Sequence, residues 1–158
     1  MSEAAAKAFE HFKADVGNDE GTGEWFEVTQ EQIDRFADIT HDHQFIHVDP
    51  EAAKATPFGT TIAHGFLTLS LLPLLTESNA AGQFERNYPG MRLRVNYGLN
   101  KVRFPAPVPC GAKLRARTAL LAAEPMESGV QLTYRITVEI EGQDKPACVA
   151  EQLFRLYP

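Results

Sequence analysis

Residues 36–75 read FADITHDHQFIHVDPEAAKATPFGTTIAHGFLTLSLLPLL and contain four of the five histidines of the chain. The last part of this stretch, residues 62–75, is the longest apolar run in the sequence. A polar, histidine-rich segment directly before an apolar helix is unusual for a purely structural core, because buried polar groups without partners cost free energy. We therefore predict that the polar segment forms the functional site and that the helix supports it.

The apolar run predicts the main helix of the fold, from about His64 to about Leu75. Its residues are apolar nearly all round, which is typical of a buried helix. Pro73 is expected to kink this helix or to mark its last turn.

Two shorter helices are predicted before it. Thr29 and Gln32 fit a capping box, which predicts a helix that fades near residue 40. Asp49 followed by Pro50 is a typical helix start, which predicts a short helix to about residue 55. The intervening residues are expected to form a turn or loop.

The second half of the chain predicts strands. They are expected at residues 91–104, 113–123, 130–141 and 145–157. The third alternates between apolar and polar positions throughout, as a half-buried antiparallel strand does. A bend is expected at Gly98, and the three prolines of residues 105–109 predict a connection or an edge. The chain is therefore predicted to be an α+β domain with an antiparallel sheet around a central, largely buried helix.

The 158 residues predict a single domain over 1–158, with residues 1–23 as an N-terminal helix and linker. Within this part, residues 2–14 are weakly helical in pattern and residues 17–23 read as a polar linker. Two cysteines favour neither a disulfide framework nor a metal framework. We find no membrane span or secretory signal pattern, so a cytoplasmic setting is expected.

The net charge of −6 argues against nonspecific binding to nucleic acid. Residues 86–117 nevertheless contain eight basic residues and no acidic residue. These are Arg86, Arg92, Arg94, Lys101, Arg103, Lys113, Arg115 and Arg117. Two interpretations stay open: a solvated basic face, or a site for an anionic, phosphorylated ligand.

Asp42 and His47 are the candidate acid–base pair. On one helix this spacing would point the two side chains about 140° apart, so they can converge only across a turn or loop. A carboxylate and an imidazole that converge can hold a water molecule and move its protons. The structural alternatives are a turn cap for Asp42 and a hydrogen-bonded core histidine for His47.

Gly65 is the second candidate, because glycine is a poor helix residue and lies here at the helix start. It allows a ligand close to the backbone, and the free N–H of a first helical residue can serve as an oxyanion hole. Tight packing of the helix is the alternative.

A metal site is the competing use of His41, His43, His47 and His64, but their spacing fits no familiar zinc pattern. We therefore predict no metal.

DHQFIH at residues 42–47, VDP after it, FGTTIAHGF at 58–66 and NYGLNKVRFPAPVPCG at 96–111 together resemble the (R)-specific enoyl-CoA hydratases. These belong to the MaoC-like dehydratase family, and the closer likeness is to its nodulation-protein-N-like subgroup. The resemblance covers most of the chain from Trp25 onwards. It implies a hot-dog fold, in which a long antiparallel sheet wraps a central helix, and a homodimer.

The family motif Asp-x-Asn-Pro-x-His falls on Asp42 and His47, with Gln44 in place of Asn and Phe45 in place of Pro. The amide of Gln44 can still orient water or backbone, whereas Phe45 alters the shape of the loop. The family's His-Gly helix start falls on His64 and Gly65, which adds His64 to the residues expected to contact substrate.

The resemblance implies a hydro-lyase of fatty acid metabolism that hydrates trans-2-enoyl-CoA to (R)-3-hydroxyacyl-CoA. Asp42 and His47 would activate water, and the Gly65 N–H would meet the charge on the thioester oxygen. No cofactor is expected beyond the coenzyme A of the substrate, for whose phosphates Lys101 and Arg103 are the candidate ligands. The alternatives are a hot-dog acyl-CoA thioesterase and a non-catalytic acyl-CoA-binding or assembly subunit.

Overall fold

The structure is a computed structural model that describes the backbone of residues 1–158 and all side chains except those of Glu20, Phe84 and Asn87. Its helices are α1 (Glu3–Asp15), α2 (Gln30–Thr40), α3 (Phe45–Val48), α4 (Pro50–Ala53), α5 (Gly65–Ser70), α6 (Leu72–Leu75) and α7 (Gln83–Asn87). Its strands are β1 (Asp19–Thr22), β2 (Phe26–Glu27), β3 (Leu93–Arg103), β4 (Lys113–Pro125), β5 (Val130–Ile140) and β6 (Cys148–Tyr157).

Within the described chain the strands form one antiparallel six-stranded sheet in the order β1-β4-β5-β6-β3, and β2 also pairs with β4. Ile136 in the middle of the sheet lies opposite Thr118 of β4 and Ala150 of β6. The apolar side chains of β5 point to one face and are buried there, as the alternation of residues 130–141 predicts.

Two hydrophobic clusters cover this face of the sheet. The larger one packs α5 and α6, through Leu67, Leu72 and Leu75, against the strands. The smaller one packs α1, through Ala8 and Phe12, against the other end of the sheet. Both clusters also contact Tyr134, so they adjoin on the same sheet.

Most of the predicted elements are confirmed. Both helix caps are present, with a capping box at Thr29 and with the Asp49 carboxylate accepting hydrogen bonds from two backbone amides. The bend of β3 is present as a register shift between Asn96 and Gly98. The proline-containing connection lies along the segment before α5, because the N–H of Ala63 donates to the Val108 carbonyl at 2.8 Å.

The linker predicted at residues 17–23 is wrong in part, since it contains β1. Its residues are polar or glycine, and they form a strand because β4 offers them unpaired backbone groups along its edge. Such edge pairing is made by the main chain and needs no apolar side chains.

The interruption of the central helix expected at Pro73 is confirmed. The helix is divided at Leu71 into α5 and α6, because Pro73 has no N–H for the Leu69 carbonyl and its ring would clash there. The helix differs from its prediction in being buried on one face only, since Phe66 is 70% exposed and Leu74 is 50% exposed. None of the described helices has the length and apolar character needed to cross a bilayer.

Candidate active site

The segment between α2 and α4 carries the acid–base pair. His41 ends α2 in the left-handed conformation, with φ of 59°. The Asp42 carboxylate then accepts a hydrogen bond from the Gln44 N–H at 3.4 Å, which closes a turn. The prediction of a plain loop is wrong for residues 45–48, which form the helical turn α3 and place His47 on its inner side.

The turn and α3 bring Asp42 and His47 together, as the sequence requires for a functional pair. One ligand-type atom on each of Asp42, His47 and His64 lies within 4.8 Å of the other two. The two imidazole rings stack with centroids 3.8 Å apart and planes inclined by 24°. Both histidines are buried, whereas the side chain of Asp42 is 54% exposed. The carboxylate therefore faces solvent, and the imidazoles form the floor beneath it.

The hydrogen bonds of His47 define its tautomer. Its Nδ1 donates to the Ile62 carbonyl at 2.7 Å, because a carbonyl can only accept. Burial lowers the pKa of His47 below 6.5, a shift that nearby His64 reinforces and that the Ile62 hydrogen bond and Asp42 oppose. A neutral His47 with its hydrogen on Nδ1 keeps a lone pair on Nε2, which is the state of a general base.

His64 lies behind the pair. Its Nε2 donates to the backbone carbonyl of Asp42 at 2.9 Å and lies 4.0 Å from the carboxylate oxygen Oδ2 of Asp42. Its Nδ1 is buried and has no hydrogen-bond partner among the described residues. The side chain is only 3% exposed.

Gly65 is half-buried at the first position of α5. Among the hydrogen bonds of the described residues, none uses its N–H. A Cβ at this position would lie 3.1 Å from the Phe104 ring, so the ring would have to move by a few tenths of an ångström to admit it. Both interpretations of Gly65 therefore apply, since glycine allows Phe104 to pack closely and the amide is left available to a ligand.

The geometry disfavours a metal at this site, although the three donor atoms are close enough for one. Stacked, nearly parallel imidazoles direct their nitrogen lone pairs side by side instead of toward one point. One nitrogen of each ring already donates to a carbonyl, on Ile62 and on Asp42. Of the other two candidate ligands, His43 pairs with Asp38 at 2.9 Å and His41 ends α2.

Gln30 and Thr61 support the site and were missed in the sequence. The Gln30 amide donates to the His47 carbonyl and to the Asp34 carboxylate, both at 2.8 Å. It accepts a hydrogen bond from the Thr61 hydroxyl at 2.5 Å. Gln30 looks like an ordinary residue of a surface helix, and its partners are 17 and 31 positions away, so no local pattern reveals it.

The acid-free basic segment does not form one anion site. Six of its eight basic residues divide between β3 and β4, which β5 and β6 separate in the sheet, while Arg86 lies in α7 and Arg92 directly before β3. Several pair with acidic residues of neighbouring strands or turns: Lys101 with Glu151, Arg115 and Arg117 with Glu139, and Lys113 with Glu141. The acidic partners of these basic residues lie on neighbouring strands or turns, so in the sequence they fall outside residues 86–117.

The remaining predicted substrate contacts lie at the surface. Gln44 is exposed at the start of α3. Lys101 and Arg103 are exposed at the end of β3. Arg103 directly precedes Phe104, whose ring lies against Gly65, so this end of β3 adjoins the start of α5.

Comparison with known proteins agrees with this architecture. Residues 11–141 match the MaoC-like domain. The chain is 53% identical to 3-hydroxyacyl-thioester dehydratase Z of Mycobacterium tuberculosis over 143 residues, covering 90% of this chain and 91% of that protein. It is 47% identical to nodulation protein N of Rhizobium leguminosarum bv. viciae over 137 residues, covering 85% and 82%.

A solved structure shows the same fold. The (R)-hydratase from A. caviae involved in PHA biosynthesis superposes with a TM-score of 0.69 at 23% identity, over 90% of this chain and 96% of that chain. The predicted α+β hot-dog fold is therefore confirmed. The mycobacterial relative is named a dehydratase. A dehydratase is a hydro-lyase, which is the enzyme class expected from the sequence. The match over residues 11–141 and the identities above show that the chain belongs to the MaoC-like dehydratase family, as residues 42–47 and 64–65 predict.

Proposed function

We propose that the protein is an (R)-specific enoyl-CoA hydratase, which adds water to a trans-2-enoyl thioester and also catalyses the reverse dehydration. The observation that carries this proposal is the convergence of Asp42 and His47 on His64. The next residue, Gly65, has a backbone N–H with no partner among the described residues. A water held by the pair and a thioester oxygen at the amide are the two requirements of the reaction.

Activation of water is assigned to His47. Its Nδ1–H is held by the Ile62 carbonyl, so Nε2 is free to accept a proton from water. The exposed carboxylate of Asp42 accepts the other hydrogen of that water and orients its oxygen toward C3 of the substrate. Positioned general acid–base groups typically contribute about 100-fold to 10,000-fold in rate.

The remaining steps balance the reaction. As the water oxygen bonds to C3, electrons move through the C2–C3 double bond onto the thioester oxygen, whose negative charge the Gly65 N–H stabilises. One such donor contributes about 3 kcal/mol to a transition state. The proton taken from water then returns through the Asp42–His47 pair to C2. The net change is the addition of one water, and no redox or metal chemistry enters the scheme.

Substrate binding is proposed for the exposed residues around this centre. Gln44 lies two positions after Asp42 and would orient water or the thioester with its amide. Lys101 and Arg103 at the end of β3 would contact the coenzyme A phosphates. A cytoplasmic location for this reaction stays a prediction.

We further propose that the protein is a homodimer. β3 is an edge strand of the sheet, and Leu93, Val95, Tyr97 and Leu99 on it are exposed. Phe66, Leu74 and Phe104, on and beside the central helix, are exposed as well. We call these seven residues the apolar band. Exposed apolar side chains on an edge strand and on the central helix favour burial against a partner, and a second copy of the chain supplies one.

The proposal is tested with crotonyl-CoA and the purified protein. We expect hydration by the wild type and a loss of at least about 100-fold in kcat for Asp42→Asn and for His47→Gln. The matched controls are Asp38→Asn and His43→Gln, which alter an exposed pair near the site and should retain kcat within about twofold.

Three outcomes would contradict the assignment. Equal hydration by wild type and Asp42→Asn would remove the acid–base role. Release of free thiol from saturated acyl-CoA without hydration of enoyl-CoA would identify a thioesterase, and binding of both thioesters without turnover would identify a non-catalytic subunit. A panel of enoyl chain lengths then defines the acyl preference.

A further inference from the structure

His64 is almost completely buried, which a residue that only binds substrate does not require. Its ring contacts Phe36, at a centroid distance of 5.0 Å, and stacks on His47, at 3.8 Å. Only 3% of the residue is exposed. The imidazole is therefore covered by protein, and one of the residues that cover it is the proposed base.

The contact between His64 and Asp42 is made to the backbone. The His64 Nε2–H donates to the Asp42 carbonyl at 2.9 Å. Among the hydrogen bonds of the described residues, this is the one that the Asp42 carbonyl accepts. Asp42 lies in a turn directly after the left-handed end of α2, so its neighbours in sequence provide no helical hydrogen bond for this carbonyl.

We propose that His64 is a positioning residue that fixes the Asp42 main chain relative to the His47 imidazole. One side of His64 stacks on His47, and one of its nitrogens holds Asp42, so a single rigid ring sets the separation of the two groups. This inference rests on the proposed hydratase function and replaces the substrate-contact role that the family resemblance implies for His64.

The hydrogen-bond pattern also shows which nitrogen of His64 carries a hydrogen. The carbonyl of Asp42 can only accept, so Nε2 is protonated. The buried Nδ1 has no partner among the described residues, which is costly to maintain for structure alone. The titratable groups that face His47 are His64, which lowers the pKa of His47, and Asp42, which raises it.

The test compares His64→Gln, whose amide keeps an N–H donor at a reach similar to Nε2, with His64→Leu, which has none. For hydration of crotonyl-CoA we expect His64→Leu to lower kcat by about 10-fold to 100-fold, as misplacement of a catalytic group does. KM should change by less than about threefold, and His64→Gln should recover most of the lost kcat. A raised KM with unchanged kcat, or equal losses in both variants, would overturn the positioning role.

A double-mutant cycle separates positioning from a general loss of structure. In an Asp42→Asn background, His64→Leu should cost little further activity, because its effect is exerted through Asp42. An undiminished loss in that background would contradict the proposal.

A readout that does not use activity keeps the proposal testable even if the substitutions unfold the protein or the substrate is different. Nitrogen-15 chemical shifts of the wild-type histidines should show His64 protonated on Nε2 and His47 protonated on Nδ1. The opposite tautomer of His64 would end the inference whatever the enzyme's substrate. Correct tautomers without hydration of any enoyl-CoA would count against the proposed reaction and leave the His64–Asp42 hydrogen bond in place.

Discussion

At the scale of a single residue, the Nδ1–H of His47 donates to the Ile62 carbonyl, which leaves Nε2 as the nitrogen that can accept a proton. Burial then keeps the ring neutral by lowering its pKa. Because of these two effects, Nε2 has a free lone pair near neutral pH and can accept a proton directly. Asp42, being half-exposed, is accessible to water and substrate.

The pH dependence of hydration follows from this shift. Activity should fall at acid pH only when His47 becomes protonated, and its pKa lies below 6.5. The acid limb of kcat/KM, which reports the free enzyme, is therefore expected to be centred below pH 6.5. A kcat/KM profile from pH 4.5 to 8 measures this. An acid limb centred above pH 6.5 would contradict the assignment of His47 as the buried neutral base.

The same shift has a definite sign for stability. Just below pH 6.5, the folded protein binds fewer protons at His47 than the unfolded chain does. The contribution of His47 to the free energy of unfolding is therefore lost as the pH falls from 6.5 toward its folded pKa, and it is unchanged at higher pH.

The Asp42–His47 pair could be predicted from the sequence because both residues lie in one short segment between two local helix signals. The supporting residues could not. Gln30 reaches His47 and Thr61 only after α2 has packed beside α3 and the segment before α5. Polar contacts of this kind depend on tertiary structure, which local patterns do not encode.

At the scale of elements, the site depends on how α2, α3 and residues 61–64 are held together. Gln30 joins all three parts, because it binds the His47 carbonyl and the Thr61 hydroxyl. Thr61 is 1% exposed, and its carbonyl also accepts a hydrogen bond from the Cys110 N–H. The position of His47 is thus set by three elements that are distant in sequence.

Thr61→Val tests this connection, since valine keeps the shape of threonine and lacks the hydroxyl. It leaves the Gln30 oxygen without its buried partner, which should lower the free energy of unfolding by about 1–3 kcal/mol. A chain of this length should then melt about 2–12 °C lower, measured by circular dichroism. Thr61→Ser is the matched control, because it keeps the hydroxyl and loses only a buried methyl, and it should melt between the wild type and Thr61→Val. A valine variant that melts at the wild-type temperature would show that the hydroxyl contributes nothing.

Elements with local signals were predicted well, as the caps at Thr29 and Asp49 show. Other elements were not. The helical turn α3 lies where a loop is predicted, and α7 has no predicted counterpart. β1 forms because another strand edge is available to it, and the exposed face of α5 and α6 shows only when the sheet is in place. The ion pairs of the basic segment likewise depend on strand register, which sequence distance hides.

At the scale of the whole molecule, the apolar band adjoins the site. Phe66 directly follows Gly65, and the Phe104 ring lies against Gly65. A partner that covers the band would therefore also exclude water beside the amide proposed to bind the thioester oxygen. Association and activity are expected to be coupled for this reason.

Leu99→Glu should disrupt the proposed dimer, because it places a charge in the apolar band where Leu99 is 41% exposed. Sedimentation should show a dimer for the wild type and a monomer for the variant, with reduced activity. Val16→Glu is the matched control, since Val16 is 40% exposed at the end of α1, outside the band. A wild type that sediments as a monomer at working concentration would remove the dimer from the proposal.

The N-terminal helix has a consequence for anyone who shortens this protein. The family match begins at residue 11, inside α1, yet Ala8 and Phe12 of that helix shield Leu120, Val130 and Leu132 from solvent. Trimming the chain to residue 11 would keep Phe12 but remove Ala8 and the helical residues before it, so apolar residues of β4 and β5 would be exposed to solvent. We expect the shortened protein to be less stable than the full chain and more prone to aggregate.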